Sequence, residues 1–272
     1  MDPRIGIFDS GIGGLTIAAA IRRALPSERL VYFGDNAHVP YGERTAEQIL
    51  AFSTAIVQAL LEKGCRAVVI ACNTASSAAL KPLRERHPGI AFVGMEPAVK
   101  PAVEQTRSGV VGVLATKATV EGRAMADVVE RFAKGVHVIS QACPGLAARI
   151  DNGHFDDVET EALLRNWVEP MVEQGIDTLV LGCTHYPLVR PLIQRITGPA
   201  VRVIEPSGAI ARRLDQLLVQ YGIKSPDTQT GDLQCWTSGE PERFDTVLAR
   251  LELKKVPVRK GHWQADGSLV LG

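Results

Sequence analysis

Neither sign of charge dominates this chain: 30 Lys and Arg stand against 30 Asp and Glu, for a formal net charge of zero. That balance leaves no overall electrostatic footprint for nucleic acid, and no nucleic-acid partner is expected. No apolar run is long enough to span a bilayer, so no membrane partner is expected either. The start, Met1-Asp2-Pro3-Arg4, passes at once into an apolar strand. It lacks the basic opening, longer apolar stretch and small-residue cleavage site of a signal peptide, so a cytoplasmic location is expected. No C-x-x-C pair occurs among the five cysteines, which argues against a zinc site or a thioredoxin-like motif. No metal is expected. Gly11-Ile12-Gly13-Gly14 does not have the G-x-G-x-x-G spacing, and there is no phosphate-cradling P-loop.

What is present is a chain of 272 residues, 46% hydrophobic and 22% charged, long enough for two modest α/β domains with sizeable cores. Strand-like and helix-like segments alternate. Apolar strands are expected at 4–8, 30–33, 67–71, 110–115, 136–140, 178–182 and 201–204. Helical spacing is expected at 15–25, 45–63, 120–133, 158–173 and 207–221. Thr45 and Gln48 form a capping-box pattern at the start of the second helix. Short β runs alternating with helices imply mostly parallel sheets with right-handed crossovers, covered on both faces.

The two halves echo each other. Ile5-Gly6-Ile7-Phe8-Asp9-Ser10 resembles Val111-Gly112-Val113-Leu114-Ala115-Thr116. Val68-Val69-Ile70-Ala71-Cys72-Asn73-Thr74 resembles Leu179-Val180-Leu181-Gly182-Cys183-Thr184-His185, at nearly the same interval. The expected fold is therefore α/β: two pseudo-symmetric, doubly wound α/β domains with mostly parallel sheets and the active site in the cleft between them. Residues 1–96 plus 207–272 are expected to form the first domain and 97–206 the second. Ligands of open α/β sheets bind at the carboxyl ends of strands, where both echoes place a hydroxyl and a thiol.

Five scattered cysteines, an odd number, are expected as free thiols. Cys65, Cys143 and Cys235 read as small buried hydrophobes. Cys72 is expected at a helix N-terminus, with Asn73 and Thr74 as capping candidates, and Cys183 in the same setting; a helix N-terminus favours the thiolate. A thiolate serves as nucleophile or general base. A hydrolase would need one cysteine with a His partner. Inverting a carbon centre needs a base on each face, and two equivalent cysteines in two equivalent halves suit that task better.

Four motifs together are similar to those of the aspartate/glutamate racemase family. They are Ile7-Phe8-Asp9-Ser10-Gly11-Ile12-Gly13-Gly14, the run from Asp35 to Arg44, Ala71-Cys72-Asn73-Thr74-Ala75-Ser76, and Leu181-Gly182-Cys183-Thr184-His185-Tyr186-Pro187. The match runs from about residue 4 to 250. The resemblance implies that Cys72 deprotonates the D-enantiomer and Cys183 the L-enantiomer, with Asp9 assisting the first thiol and His185 the second. It implies substrate contacts at Asp9, Ser10, Pro40, Tyr41, Gly42, Asn73, Thr74, Thr116, Thr119, Thr184 and His185. The family often has Glu near Asp151, supporting the histidine; here the carboxylate is one methylene shorter. His185 after Cys-Thr, where relatives acting on aspartate usually carry Glu, points to glutamate. The implied activity is cofactor-independent interconversion of L- and D-glutamate, supplying D-glutamate for bacterial peptidoglycan and cell shape. A homodimer is implied as well.

No cofactor is expected. Pyridoxal phosphate would need a Schiff-base lysine. Lys117, the lysine nearest a site loop, reads as an ordinary loop residue. His38 and Arg44 are open between site and scaffold roles. The tail beyond Lys254, with Trp263, reads as an extra strand or a loosely held end. The competing readings are an aspartate racemase, a non-catalytic amino-acid-binding module, and a thiol hydrolase using one cysteine.

Overall fold

Strands form where branched and aromatic residues can be buried on both faces, and helices where apolar residues recur at helical spacing. The computed structural model of the chain describes residues 4–226, 228–253 and 256–272. In chain order come β1 (Arg4–Asp9), α1 (Leu15–Ala24), β2 (Arg29–Gly34), α2 (Ala46–Glu62), β3 (Cys65–Ile70), α3 (Asn73–Arg86) and β4 (Ala91–Val93). Then follow α4 (Val99–Gln105), β5 (Val110–Ala115), α5 (Lys117–Val120), α6 (Arg123–Phe132), β6 (His137–Ala142), α7 (Leu146–Asp151), α8 (Val158–Glu173), β7 (Thr178–Leu181), α9 (Arg190–Thr197) and β8 (Arg202–Ile204). The last are α10 (Ser207–Gln220), β9 (Leu233–Thr237), α11 (Glu242–Arg250), β10 (Val258–Trp263) and β11 (Leu269–Leu271).

These elements make two compact units. One comprises the residues up to Met95 together with Ser207–Gly272, the other Glu96–Pro206. Among the described residues the first holds a seven-stranded sheet, β11-β10-β9-β2-β1-β3-β4, and the second a four-stranded sheet, β6-β5-β7-β8. The described ladders are parallel except that between β10 and β11. The order β2-β1-β3-β4 in the first sheet repeats as β6-β5-β7-β8 in the second. The sequence echo is therefore an echo of topology: β1 matches β5, and β3 matches β7.

Parallel strands must be covered on both faces. In the first unit Phe8, Val31, Phe33, Val68 and Ile70 pack with Ile56, Val57 and Leu60 of α2 and with Ala79 and Leu83 of α3. The alternate residues Ile7, Tyr32 and Val69 are equally buried. The second unit has its own smaller core around Val99, Val111, Val113, Met125 and Val180. β6, at the sheet edge, is only partly covered.

The capping box forms as read. Thr45 Oγ1 accepts from the Gln48 N–H at 3.3 Å, and Gln48 Oε1 accepts from the Thr45 N–H at 3.1 Å. The helix expected over 120–133 begins only at Arg123, as α6, because Gly122 takes an extended conformation (φ −75°, ψ 144°); Val120 instead ends the short α5. The tail is strand, not a loose end: β10 extends the sheet from β9 and β11 folds back on β10. Lys254 itself lies outside the described residues, as do Met1 to Pro3.

Leu60 is fully buried in the larger core. Leu60→Ala is expected to lower stability by about 2–5 kcal/mol, whereas Thr45→Ala at the helix start is expected to cost about 1 kcal/mol. Denaturant unfolding followed by circular dichroism reads both, and equal losses would contradict this placement of the core.

Candidate active site

In the first unit the chemistry gathers where β1, β2 and β3 end. Asp9 closes β1 and is fully buried. Its Oδ2 accepts the Gly14 N–H at 2.8 Å. Only glycine allows that approach, since a Cβ at Gly14 would lie 2.6 Å from the Asp9 Cβ. Asp9 therefore braces the turn into α1.

Cys72 follows β3 as the N-cap of α3, with an extended backbone (φ −124°, ψ 125°). The expected caps were Asn73 and Thr74; instead the thiol itself caps. Its Sγ accepts the Ala75 N–H at 3.5 Å and lies 3.7 Å from Ser10 Oγ, to which it donates. The first turn of a helix favours negative charge on such an atom. Asn73 is buried and Thr74 half-buried. The segment after β2 turns through a cis Val39–Pro40 bond into a single 3₁₀ turn, Tyr41–Glu43. Pro40 and Gly42 are exposed there, and Tyr41 is buried. The Tyr41 hydroxyl donates to Asp35 Oδ2 at 2.7 Å. Burial, the Asp35 charge and that hydrogen bond hold the phenol well above its usual range, with Cys72 and Asp9 adding to the effect. Tyr41, Cys72 and Asp9 thus belong to one electrostatic cluster.

In the second unit Gly182 leaves β7 and Cys183 follows, buried. The setting differs from that of Cys72. No α-helix starts here: Tyr186–Val189 is a 3₁₀ turn and α9 begins only at Arg190. Pro187 lacks the N–H that an α-helix would use, and Leu188 bonds back three residues to the His185 carbonyl at 3.0 Å. What Cys183 has instead is a histidine. His185 Nδ1 lies 3.6 Å from Cys183 Sγ and 3.5 Å from Thr184 Oγ1, and its Nε2 lies 3.0 Å from Asp151 Oδ1. The shorter carboxylate at position 151 therefore reaches the ring. Burial opposes a charged imidazole, but the Asp151 carboxylate, its hydrogen bond and Cys183 outweigh it and raise the His185 pKa well above the usual range. A proton can thus be held between sulfur and ring.

Cys143 lies in this cluster as well, its thiol pushed up to about 12 by burial and then by Cys183. It stays a thiol, as do Cys65 and Cys235, both also at about 12 through burial. Thr116 caps α5: its Oγ1 accepts the Thr119 N–H at 3.3 Å and lies 3.0 Å from Thr119 Oγ1. Lys117 is exposed and 3.9 Å from Glu121, as a surface lysine would be. His38 stacks on Phe52 at 3.9 Å, and Arg44 Nε donates to the His38 carbonyl at 3.1 Å, so both have scaffold contacts. Asp35 opens the Asp35–Arg44 motif, but its partners Ser238 and Trp263 lie about two hundred residues away and carry no sequence signal of the contact. Among the described residues, no group of three or more His, Cys, Asp or Glu could hold a metal ion. No helix among them is long and apolar enough to cross a membrane.

A family model described as Asp/Glu/hydantoin racemase matches residues 15–214. The chain is 50% identical over 250 residues to a glutamate racemase of Roseiflexus sp. (strain RS-1), covering 92% of each chain. It is 45% identical over 267 residues to one of Pseudomonas aeruginosa, covering 98% of this chain and 97% of that one. Its structure matches the crystal structure of a glutamate racemase isoform from Bacillus anthracis with a TM-score of 0.85 at 32% identity, over 95% of this chain and 97% of that one. The Escherichia coli glutamate racemase, solved with L-glutamate and an activator, matches with a TM-score of 0.84 at 30% identity over the whole of both chains.

A raised His185 value has a definite sign. The ring's charged pairing with Asp151 stabilises the fold at pH below about 6.5 and is lost as pH rises through the folded-state value. In an NMR titration of labelled histidine rings, His185 is expected to remain protonated past pH ~6.5 and Asp151→Asn to bring its midpoint down. An unchanged midpoint would remove Asp151 as the group that holds the ring charged.

Proposed function

The chain belongs to the Asp/Glu/hydantoin racemase family, and we propose that it is the glutamate racemase among its members, interconverting L- and D-glutamate without a cofactor. The observation that carries this is the pair of buried thiols, Cys72 after β3 and Cys183 after β7, at matching points of the four-strand order that the two sheets share. A binding protein has no use for such a pair, and a hydrolase would use one. The relatives that cover more than nine-tenths of the chain at 45–50% identity bear the same activity in their names, and the E. coli relative was solved with L-glutamate.

The α-proton of an amino acid is a poor acid because the adjacent carboxylate resists more charge. Racemisation requires one group to take that proton and another to return it on the opposite face. In the proposed reaction Cys72 takes it from D-glutamate and Cys183 delivers one to the other face; from L-glutamate the roles exchange. A thiol is a small, polarisable base whose charge a helix start or an imidazolium stabilises. Cys72 has the Ala75 N–H and the start of α3, with Asp9 bracing the loop beside it. Cys183 has His185, held in turn by Asp151. The hydroxyls of Ser10, Thr74, Thr116, Thr119 and Thr184, together with Asn73, His185 and the Pro40–Gly42 segment, bind the substrate carboxylates and amine. In a dry site such prepositioned donors act more strongly than in water. His185 in place of Glu after Cys-Thr favours glutamate over aspartate.

The same reading places the enzyme in a bacterial cytoplasm, as a homodimer, supplying D-glutamate for the peptidoglycan that sets cell shape. Family likeness is its support.

Incubation with L-glutamate in D₂O is expected to give loss of optical activity together with α-deuteration, with L-aspartate inert. Cys72→Ser and Cys183→Ser should each cut turnover by at least the ~10²–10⁴-fold that positioned proton transfer contributes. Folded, reduced protein that exchanges no α-proton would overturn the reading in favour of a binding module.

A further inference from the structure

We propose that Asp35 is a positioning residue for the substrate-binding segment Pro40–Gly42, and that through it the C-terminal hairpin β10–β11 governs substrate affinity. The inference rests on the glutamate reading above and deepens it.

Asp35 lies just past the end of β2 and has no exposed surface. Its carboxylate collects four donors from three separate stretches of chain. Oδ2 receives the Tyr41 hydroxyl at 2.7 Å and His38 Nδ1 at 2.9 Å. Oδ1 receives the Ser238 hydroxyl at 2.8 Å and Trp263 Nε1 at 2.9 Å. Its own N–H donates to the Asp9 carbonyl at 3.0 Å, which fixes it to the loop that ends β1. A buried carboxylate is tolerated when its lone pairs are filled, and charge-assisted bonds of this kind are the strong ones.

The four donors are not interchangeable. Two of them, His38 and Tyr41, flank the Val39–Pro40 bond, so Asp35 grips the segment on both sides of it. The other two anchor that grip to the far part of the sheet: Ser238 just after β9, and Trp263 at the end of β10. Packing follows the same lines, since Trp263 meets His38 edge-on at 4.8 Å and Phe52 at 5.8 Å, while His38 stacks on Phe52. Ser238 Oγ also accepts the Ala37 N–H at 2.9 Å, and Thr237 donates to Asn36 at 2.9 Å.

Two consequences bear on substrate. The Tyr41 hydroxyl hydrogen is committed to Asp35, so the donors this segment offers an anionic substrate are those of its backbone. Backbone donors bind only if the backbone is held still, and binding geometry loses much of its value with small displacements. Moreover, four donor dipoles pointed at the Asp35 carboxylate spread its charge and lessen its repulsion of a dicarboxylic amino acid bound nearby. Asp35 touches no substrate in this scheme and acts through Tyr41.

The test is a double-mutant cycle read as KM against kcat for glutamate in both directions, on the full chain. Asp35→Asn keeps the volume but puts an NH₂ where a donor must be received. It is expected to raise KM by about tenfold or more, with kcat falling less than about threefold. Trp263→Phe, which keeps the ring but loses the donor, should raise KM in the same sense and by less. In a Tyr41→Phe background, Asp35→Asn should add less than about twofold, because the two share one interaction. Thermal unfolding of each variant shows that it is folded; should Asp35→Asn not fold, Trp263→Phe with and without Tyr41→Phe carries the test. An active parent chain whose folded variants keep KM, lose kcat alone, or behave additively overturns the positioning role and leaves the glutamate reading standing. A parent chain that exchanges no α-proton overturns both.

Discussion

In a parallel sheet every strand reaches the same edge at its carboxyl end, and the rest of this molecule depends on that alignment. β1 pairs in parallel with both β2 and β3. The residues that follow these three strands, Asp9 and Ser10, Asp35 to Gly42, and Cys72 to Thr74, are thereby delivered to one edge although they are far apart in sequence. β5, β6 and β7 do the same for Thr116, for Cys143 through Asp151, and for Cys183 to His185. Crossover helices have to cover both faces of such a sheet, and the buried cores on either side make the edge rigid. Firmly held strand ends suit a proton-transfer base, which must stay within hydrogen-bond reach of the proton it takes.

The second theme is that charge inside this protein is bound by other polar groups. Asp9 accepts a backbone N–H, Asp35 accepts from four donors, and Asp151 Oδ1 is bonded to a histidine. Each arrangement holds a group that the proposed chemistry uses. The two thiols are supported by different means: the start of a long helix for Cys72, an imidazole and carboxylate for Cys183. Equivalent positions in two sheets have thus acquired unlike electrostatic surroundings. The divergence begins where Pro187 denies the second unit the helix that follows β3 in the first.

Much of this was legible in the chain. Apolar runs ending in polar turns marked β1, β3, β5 and β7, because burial on both faces leaves a strand few polar positions. The paired Cys72 and Cys183 stood out because thiols recur at matched strand ends. The loop after Cys183 was misread, since the local pattern alone does not say whether a turn closes as 3₁₀ or α. The thiol of Cys72 as its own cap was hidden by the better capping residues beside it. β9 was not read at all: five residues with Gln234 inside them give little periodic signal, and the strand is defined by its partner β2, two hundred residues earlier. The same holds for Asp35, whose partners come from places that no local window spans.

The insertion of one unit within the other sets an order on biosynthesis. Glu96–Pro206 is continuous, so all its strands are available once that stretch has emerged from the ribosome. The first sheet has to wait: the edge of β2 remains uncovered until β9 arrives, and β9 is followed by β10 and β11. A nascent chain therefore carries an open parallel edge through most of its translation, together with a buried-type carboxylate at position 35 that still lacks half its donors. Both are completed only when the last strands dock.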